Sequence, residues 1–241
     1  MSYASLGAET TGTRIVSPSY SYDITDDDVL WLARSVNFEG GDPASTVWTY
    51  AQRMVALRWR GSLASIVQAH SQPVNPKWRR NGVCCAPDGT VAGSCPSRKA
   101  GTMSGTWYGT DYCSEARLAK RDRNATTPFD ALKDSTKRVV LAFVAAELPN
   151  PVPRAIDFAD ERVASGFLRR NPGSFVVKRA GNWYVGTAQS RRWPADHVTI
   201  EAAGRYAGAS SDVTSPTLLG TIALATAVGF AYWVWKKRRR G

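Results

Sequence analysis

Histidine is nearly missing from this chain. Only His70 and His197 occur among 241 residues. A zinc amidase needs about three protein ligands at suitable spacing, and two histidines do not supply them. Cysteine does not fill the gap, because Cys84, Cys85, Cys95 and Cys113 lack zinc-ribbon spacing. No metal and no cofactor are expected. A cysteine peptidase would have to pair one of these thiols with His70 or His197, and disulfides are the better use for them. Bridging the adjacent Cys84 and Cys85 is strained, which leaves two of the three pairings open.

Other absences exclude further classes. Residues 1–22 are rich in Ser, Thr, Gly and Tyr and have no charged-then-apolar opening, so they do not read as a secretory signal peptide. No helix-turn-helix, RNP or zinc-finger pattern is present, so no specific nucleic-acid partner is expected. Acid is outnumbered, at 20 Asp and Glu against 31 Lys and Arg. The run Lys236–Arg240 supplies five of the eleven excess charges and leaves six on the body. That excess suits a polyanionic surface such as a bacterial wall or anionic lipid. Residues 217–235 carry no charge, end in Tyr232-Trp233-Val234-Trp235 and precede the five cations. Length, aromatic end and basic flank predict a transmembrane helix and a lipid bilayer as partner.

What is present is organised around Glu39. Thr25-Asp26-Asp27-Asp28 reads as a capping-box start, and Val29, Leu32, Ala33 and Val36 follow on one helical face. The spacing predicts a helix over about 26–39, stopped by Gly40-Gly41. Asp42 reads as an N-cap and Pro43 as the first position of a second helix. Its apolar face comprises Val47, Tyr50, Ala51, Met54 and Leu57. Glu39 therefore sits at a helix end beside a tight restart, where an acid can be held rigidly at a cleft edge. Ser62 caps a third helix ending near His70. Ser71-Gln72-Pro73-Val74-Asn75-Pro76-Lys77-Trp78 is an extended loop that leaves Gln72, Asn75 and Trp78 to face a ligand.

The cysteine-bearing loop of 79–113 is long and so is functional or stapled. A further helix is predicted from Thr127-Pro128 through Leu148, stopped by Pro149-Asn150-Pro151-Val152-Pro153. A short helix over about 158–169 and a β-hairpin of 174–178 with 182–186 complete the body. Residues 203–216 read as a Gly/Ala/Ser linker.

The run Leu32-Ala33-Arg34…Phe38-Glu39-Gly40-Gly41…Val47-Trp48-Thr49…Gln52-Arg53, with the Ser71–Trp78 loop, resembles the cell-wall hydrolase family that includes spore-cortex-lytic enzymes. It is most similar to versions in bacteriophages and prophages. The resemblance covers residues 25–80. It departs in Phe38, where the family often has Gly, and in a shorter spacing after Glu39. It implies a lysozyme-like domain that cleaves peptidoglycan, with Glu39 as the catalytic acid.

The whole expectation is an α+β fold in five parts. These are an extended segment 1–24, a mainly helical lysozyme-like domain 25–202 with one small hairpin, a linker 203–216, a transmembrane helix 217–235 and a basic tail 236–241. Cutting the MurNAc–GlcNAc bond requires an acid that protonates the leaving oxygen, which Glu39 does at neutral pH if burial raises its pKa. Hydrolysis normally uses a second carboxylate. Asp42 is nearest but also reads as the N-cap, and Asp111 is an outside candidate. A lytic transglycosylase needs one Glu, acting as acid and then base while the sugar's 6-hydroxyl attacks.

Trp48, Gln52, Arg53, Gln72, Asn75 and Trp78 are the expected substrate contacts. Trp48 fits the core equally well, and Arg53 fits an ion pair with an acid. The expected setting is a virion that opens the wall for genome entry, with other virion proteins as possible partners. The positive tail puts the C-terminus in the cytoplasm and the catalytic domain toward the periplasm or wall. The alternatives are an endolysin for host lysis and a non-enzymatic virion membrane protein with a degenerate lysozyme-like fold.

Overall fold

The computed structural model describes residues 10–74 and 115–203. The expected linker, the stretch 217–235 and the basic tail lie outside the described residues.

Helix α1 (Asp26–Phe38) is the centre of the fold. Thr25 Oγ1 accepts from the Asp28 N–H at 3.3 Å, and Asp28 Oδ2 accepts from the Thr25 N–H at 2.8 Å, a complete capping box. Asp28 is fully buried. The Ala64 N–H donates to its Oδ1 at 2.6 Å, and the Tyr22 hydroxyl donates to its Oδ2 at 2.8 Å. Every oxygen of this buried carboxylate is thus satisfied, which offsets the cost of removing it from water.

Helix α2 (Pro43–Leu57) starts at Asp42, whose Oδ2 accepts from the Ser45 N–H at 3.0 Å and from the Ser45 hydroxyl. Helix α3 (Leu63–His70) starts at Ser62, whose side chain accepts from the Ser65 N–H. Helices α4 (Glu115–Thr126), α5 (Asp134–Val144) and α6 (Glu161–Arg170) follow. Val29, Leu32, Val47, Met54, Ile66, Phe143 and Val144 are wholly buried where these helices meet. Each such side chain contributes about 1.5–3 kcal/mol.

Two three-stranded antiparallel sheets flank the helices. One has β1 (Thr10–Ser17) between β2 (Tyr20–Thr25) and β6 (Thr199–Ala202). In the other, β5 (Asn182–Gly186) lies between β3 (Asp157–Ala159) and β4 (Phe175–Arg179). Arg179 pairs with Asn182 across the expected hairpin.

The expected fold is corrected here. It had one hairpin and an extended N-terminal segment 1–24, whereas β1, β2 and β6 form a whole second sheet. Thr11, Thr13 and Ile15 face inward, so β1 alternates as a half-buried strand should. Two of the inward residues are threonines, which hid the apolar period. Among the described residues no helix is long and apolar enough to cross a membrane; the expected membrane helix 217–235 lies outside them.

The predicted helix from 128 to 148 is broken as well. Phe129–Ala131 form a single 3₁₀ turn, Leu132 and Lys133 are extended, and α5 begins at Asp134. The freed Lys133 N–H donates to Asn37 Oδ1 at 3.0 Å. The predicted start at 158 falls in β3 instead, and Asp160 caps α6 by accepting from the Val163 N–H at 2.9 Å.

Candidate active site

Glu39 is the first residue past α1, with extended backbone, and its N–H still donates to Ser35 O at 2.8 Å. Gly40 and Gly41 then turn the chain into α2. Gly41 has φ +98°, and a Cβ there would fall 2.2 Å from Asn182 Nδ2. Only glycine fits that position. Gly40 differs, because a Cβ on it would meet nothing within 4 Å. The turn is braced from β5. Asn182 Nδ2 donates to Gly40 O at 2.7 Å, and Tyr184 OH donates to Asp42 O at 3.1 Å.

The Glu39 side chain is partly buried and faces a cleft of about 400 Å³. Phe38, Gln72 and Pro73 line it on one side, with Lys120, Arg121 and Asn124 of α4. The wall is tied together by Arg121 Nε donating to Gln72 O and Asn124 Nδ2 donating to Pro73 O, each at 3.0 Å.

Behind Glu39 runs a chain of buried hydroxyls. Ser71 Oγ donates to Glu39 Oε1 at 2.9 Å. Ser35 Oγ lies 3.0 Å from Ser71 Oγ and 3.2 Å from Tyr50 OH. Ser35, Tyr50 and Ser71 are all fully buried. Each hydroxyl carries one proton, so a consistent assignment runs Tyr50 to Ser35 to Ser71 to Glu39. Burial pushes the Glu39 pKa up to about 7, although the Ser71 hydroxyl and the Gln72 backbone N–H pull it the other way. The same burial, with the Glu39 charge nearby, raises the Tyr50 hydroxyl and keeps it protonated.

A second polar group lies beside the relay. Arg53 Nη2 meets Asp157 Oδ1 at 2.6 Å. His70 packs edge-on against Trp59, with ring centroids 6.4 Å apart. Burial, together with the Arg53 charge, pushes the His70 pKa down to about 4.

The remaining expected site residues divide sharply. Trp48 is in the core, edge-on to Phe143 at 5.4 Å, and its Nε1 donates to Leu148 O at 3.1 Å. Gln52 is buried, and its Nε2 donates to Val152 O at 3.1 Å and Ala155 O at 2.9 Å. Both therefore brace the scaffold and do not reach the cleft. Arg53 holds an acid, and Gln72 lines the cleft. Asp42 acts as the helix cap. Asn75, Trp78, Cys84, Cys85, Cys95, Asp111 and Cys113 lie outside the described residues.

Ser35, Tyr50 and Ser71 were missed as site residues. Ser35 stands four residues before Glu39, on the same helix face, and that spacing is the signal in the sequence. The chain matches no protein-family model, no curated protein and no solved structure.

Proposed function

We propose that this protein cleaves peptidoglycan at the MurNAc–GlcNAc glycosidic bond, with Glu39 as general acid. One observation carries the reading: a partly buried carboxyl at the mouth of a cleft, backed by a hydroxyl chain and titrating at about pH 7. An acid with that pKa is protonated often enough at neutral pH to serve a leaving oxygen, and its conjugate base is strong enough to take a proton back. Ser71 donates to Oε1, and with the Gln72 N–H it holds the carboxyl in place at the cleft.

The surroundings favour a lytic transglycosylase over a hydrolase. Asp42 is committed to the α2 N-terminus and Asp157 to Arg53. With a single uncommitted acid at the cleft among the described residues, protonated Glu39 gives its proton to the leaving oxygen as the glycosidic bond breaks. The resulting carboxylate then takes the proton of the sugar's 6-hydroxyl as that oxygen bonds to the anomeric carbon. The products are an anhydro-sugar end and a free hydroxyl. The proposed setting, a bacteriophage particle opening the wall for genome entry, rests on the family resemblance alone.

Mass spectrometry of purified peptidoglycan digested by the full chain tests this. Anhydro-muropeptides formed by the wild type and absent with Glu39→Gln are the expected result. Reducing-end muropeptides would replace the transglycosylase by a hydrolase, and no cleavage would remove the enzymatic reading.

A further inference from the structure

One stretch of the body is strongly cationic. Between Glu161 and Asp196 the chain has seven Lys and Arg and no acid. Seven exceeds the body's entire excess of six, so the rest of the body is close to neutral. This stretch folds into α6, β4, β5 and the turn of Ser190–Arg192.

The fold brings the end of α6 and that turn together. The guanidinium groups of Arg169 and Arg170 lie across Gly166, with nitrogens 3.9 and 3.5 Å from where a Cβ would stand. Gly173, just past α6, approaches the turn closely, since a Cβ there would be 3.1 Å from Ala188 Cβ. Arg191 Nη1 reaches Gly173 O at 3.5 Å. Arg169, Arg170, Arg191 and Arg192 therefore share one end of the sheet, and all four are exposed. Arg162 extends the patch along α6, on the same face as Arg169.

The nearby acids are Asp157, Asp160, Glu161 and Asp196. Asp157 is held by Arg53 and Asp160 caps α6. Among the described residues none of the four clustered arginines makes an ion pair.

We propose that this arginine face anchors the protein to a phosphodiester-bearing polymer of the cell wall, of the teichoic-acid type. Guanidinium forks match phosphate oxygens bidentately, and the patch is built of Arg. The choice among polyanions follows from shape. Arg169 and Arg170 lie flat on the helix and do not project as fingers, which suits a flexible phosphate chain and not base-edge readout in a groove. A bilayer would call for apolar anchors, and among the described residues the one large apolar side chain exposed on this lobe is Val163. The location fits retention on the wall. Asn182 and Tyr184, which brace the Glu39 turn, belong to the same sheet, so a polymer held here keeps the cleft beside the glycan. The choice of a wall polymer rests on the peptidoglycan reading.

The test is binding by full-length Glu39→Gln protein, which reads anchoring without cleavage. The probes are poly(glycerol phosphate), duplex DNA, anionic vesicles, and wall sacculi with and without their phosphate polymers stripped. The expected result is tightest binding to poly(glycerol phosphate) and to unstripped sacculi. Substituting Arg169, Arg170, Arg191 and Arg192 together by Gln should weaken both by roughly 100-fold and flatten the salt dependence. The same four changed to Lys keep the charge but lose the forks and should recover only part of the affinity, which separates charge from misfolding. Unchanged affinity in the Gln variant, equal binding to stripped sacculi, or tighter binding to DNA or vesicles would overturn the proposal. Absent cleavage by the wild-type protein, with anchoring of the Glu39→Gln protein intact, would remove the enzymatic reading alone.

Discussion

The hydroxyl of Ser71 donates to Oε1 of Glu39 at 2.9 Å, and Ser71 in turn rests against Ser35. A donor to the carboxylate stabilises its ionised form, so this contact lowers a pKa that burial raises. Ser71→Ala should therefore push the Glu39 pKa further up. The acid works only when protonated, so the alkaline limb of the pH–rate profile should move to higher pH. The rate should fall roughly 10-fold from lost orientation. A 13C NMR titration of the Glu39 carboxyl checks the shift without needing turnover.

Glu39→Gln should lower cleavage by about 100- to 10,000-fold and yet stabilise the protein. In the unfolded chain Glu39 ionises at its ordinary value, and in the fold only near pH 7. Stability thus falls as pH rises between these values, and the loss persists above them. Denaturant melts should show the Glu39→Gln protein more stable than the wild type by roughly 1–2 kcal/mol near pH 8, with no gain near pH 4.

The two glycines after Glu39 should separate. Gly41→Ala forces a non-glycine residue into φ +98° and onto Asn182, at a cost of about 1–3 kcal/mol or more. Gly40→Ala meets open space and should leave the melting temperature unchanged. Thermal denaturation of the two variants decides it.

Gln52→Ala should destabilise by roughly 2–4 kcal/mol, because Val152 O, Ala155 O and the Arg154 N–H all lose their side-chain partner. Substrate KM should not change in the protein that remains folded. A rise in KM at unchanged stability would return Gln52 to the cleft.

His70 should stay neutral until about pH 4, as followed by the imidazole resonances in an NMR titration. Its pKa is lowered by folding, so stability should be lost as pH falls from the ordinary histidine range through about 4. His70→Gln should reduce that loss.

What could be read from the sequence was local. Thr25-Asp26-Asp27-Asp28, Asp42-Pro43 and Ser62 place three helix starts because caps act within one turn, and all three caps are formed. Glu39 at a helix end followed from the same logic. The misses depend on partners far along the chain. Trp48 Nε1 and Gln52 Nε2 each bond a carbonyl about 100 residues away, so a polar tip that looked available for sugar was already satisfied. Thr13 Oγ1 donates to Val144 O at 2.7 Å, which lets a hydroxyl take an inward strand position that a hydropathy pattern counts as polar. The helix broken at Leu132-Lys133 has a similar cause, since Asn37 of α1 accepts the N–H that helix continuation would have used. Tyr50 was legible as a core position, and Ser35 only as a residue of the helix that ends at Glu39. Their role in the relay required knowing that α1, α2 and the end of α3 meet behind Glu39.

The pairing of β1 with β6 has a mechanical consequence. Thr13 stands opposite Ala202, and the Ala203 N–H donates to Gly12 O at 3.1 Å, so the two ends of the described fold leave it side by side. Tension applied between those ends would act across one short ladder and open it bond by bond, as a zipper opens. The helical core around α1 would bear little of that load. Joining the two ends by a short loop and cutting the chain elsewhere should accordingly leave the core and the Glu39 turn intact.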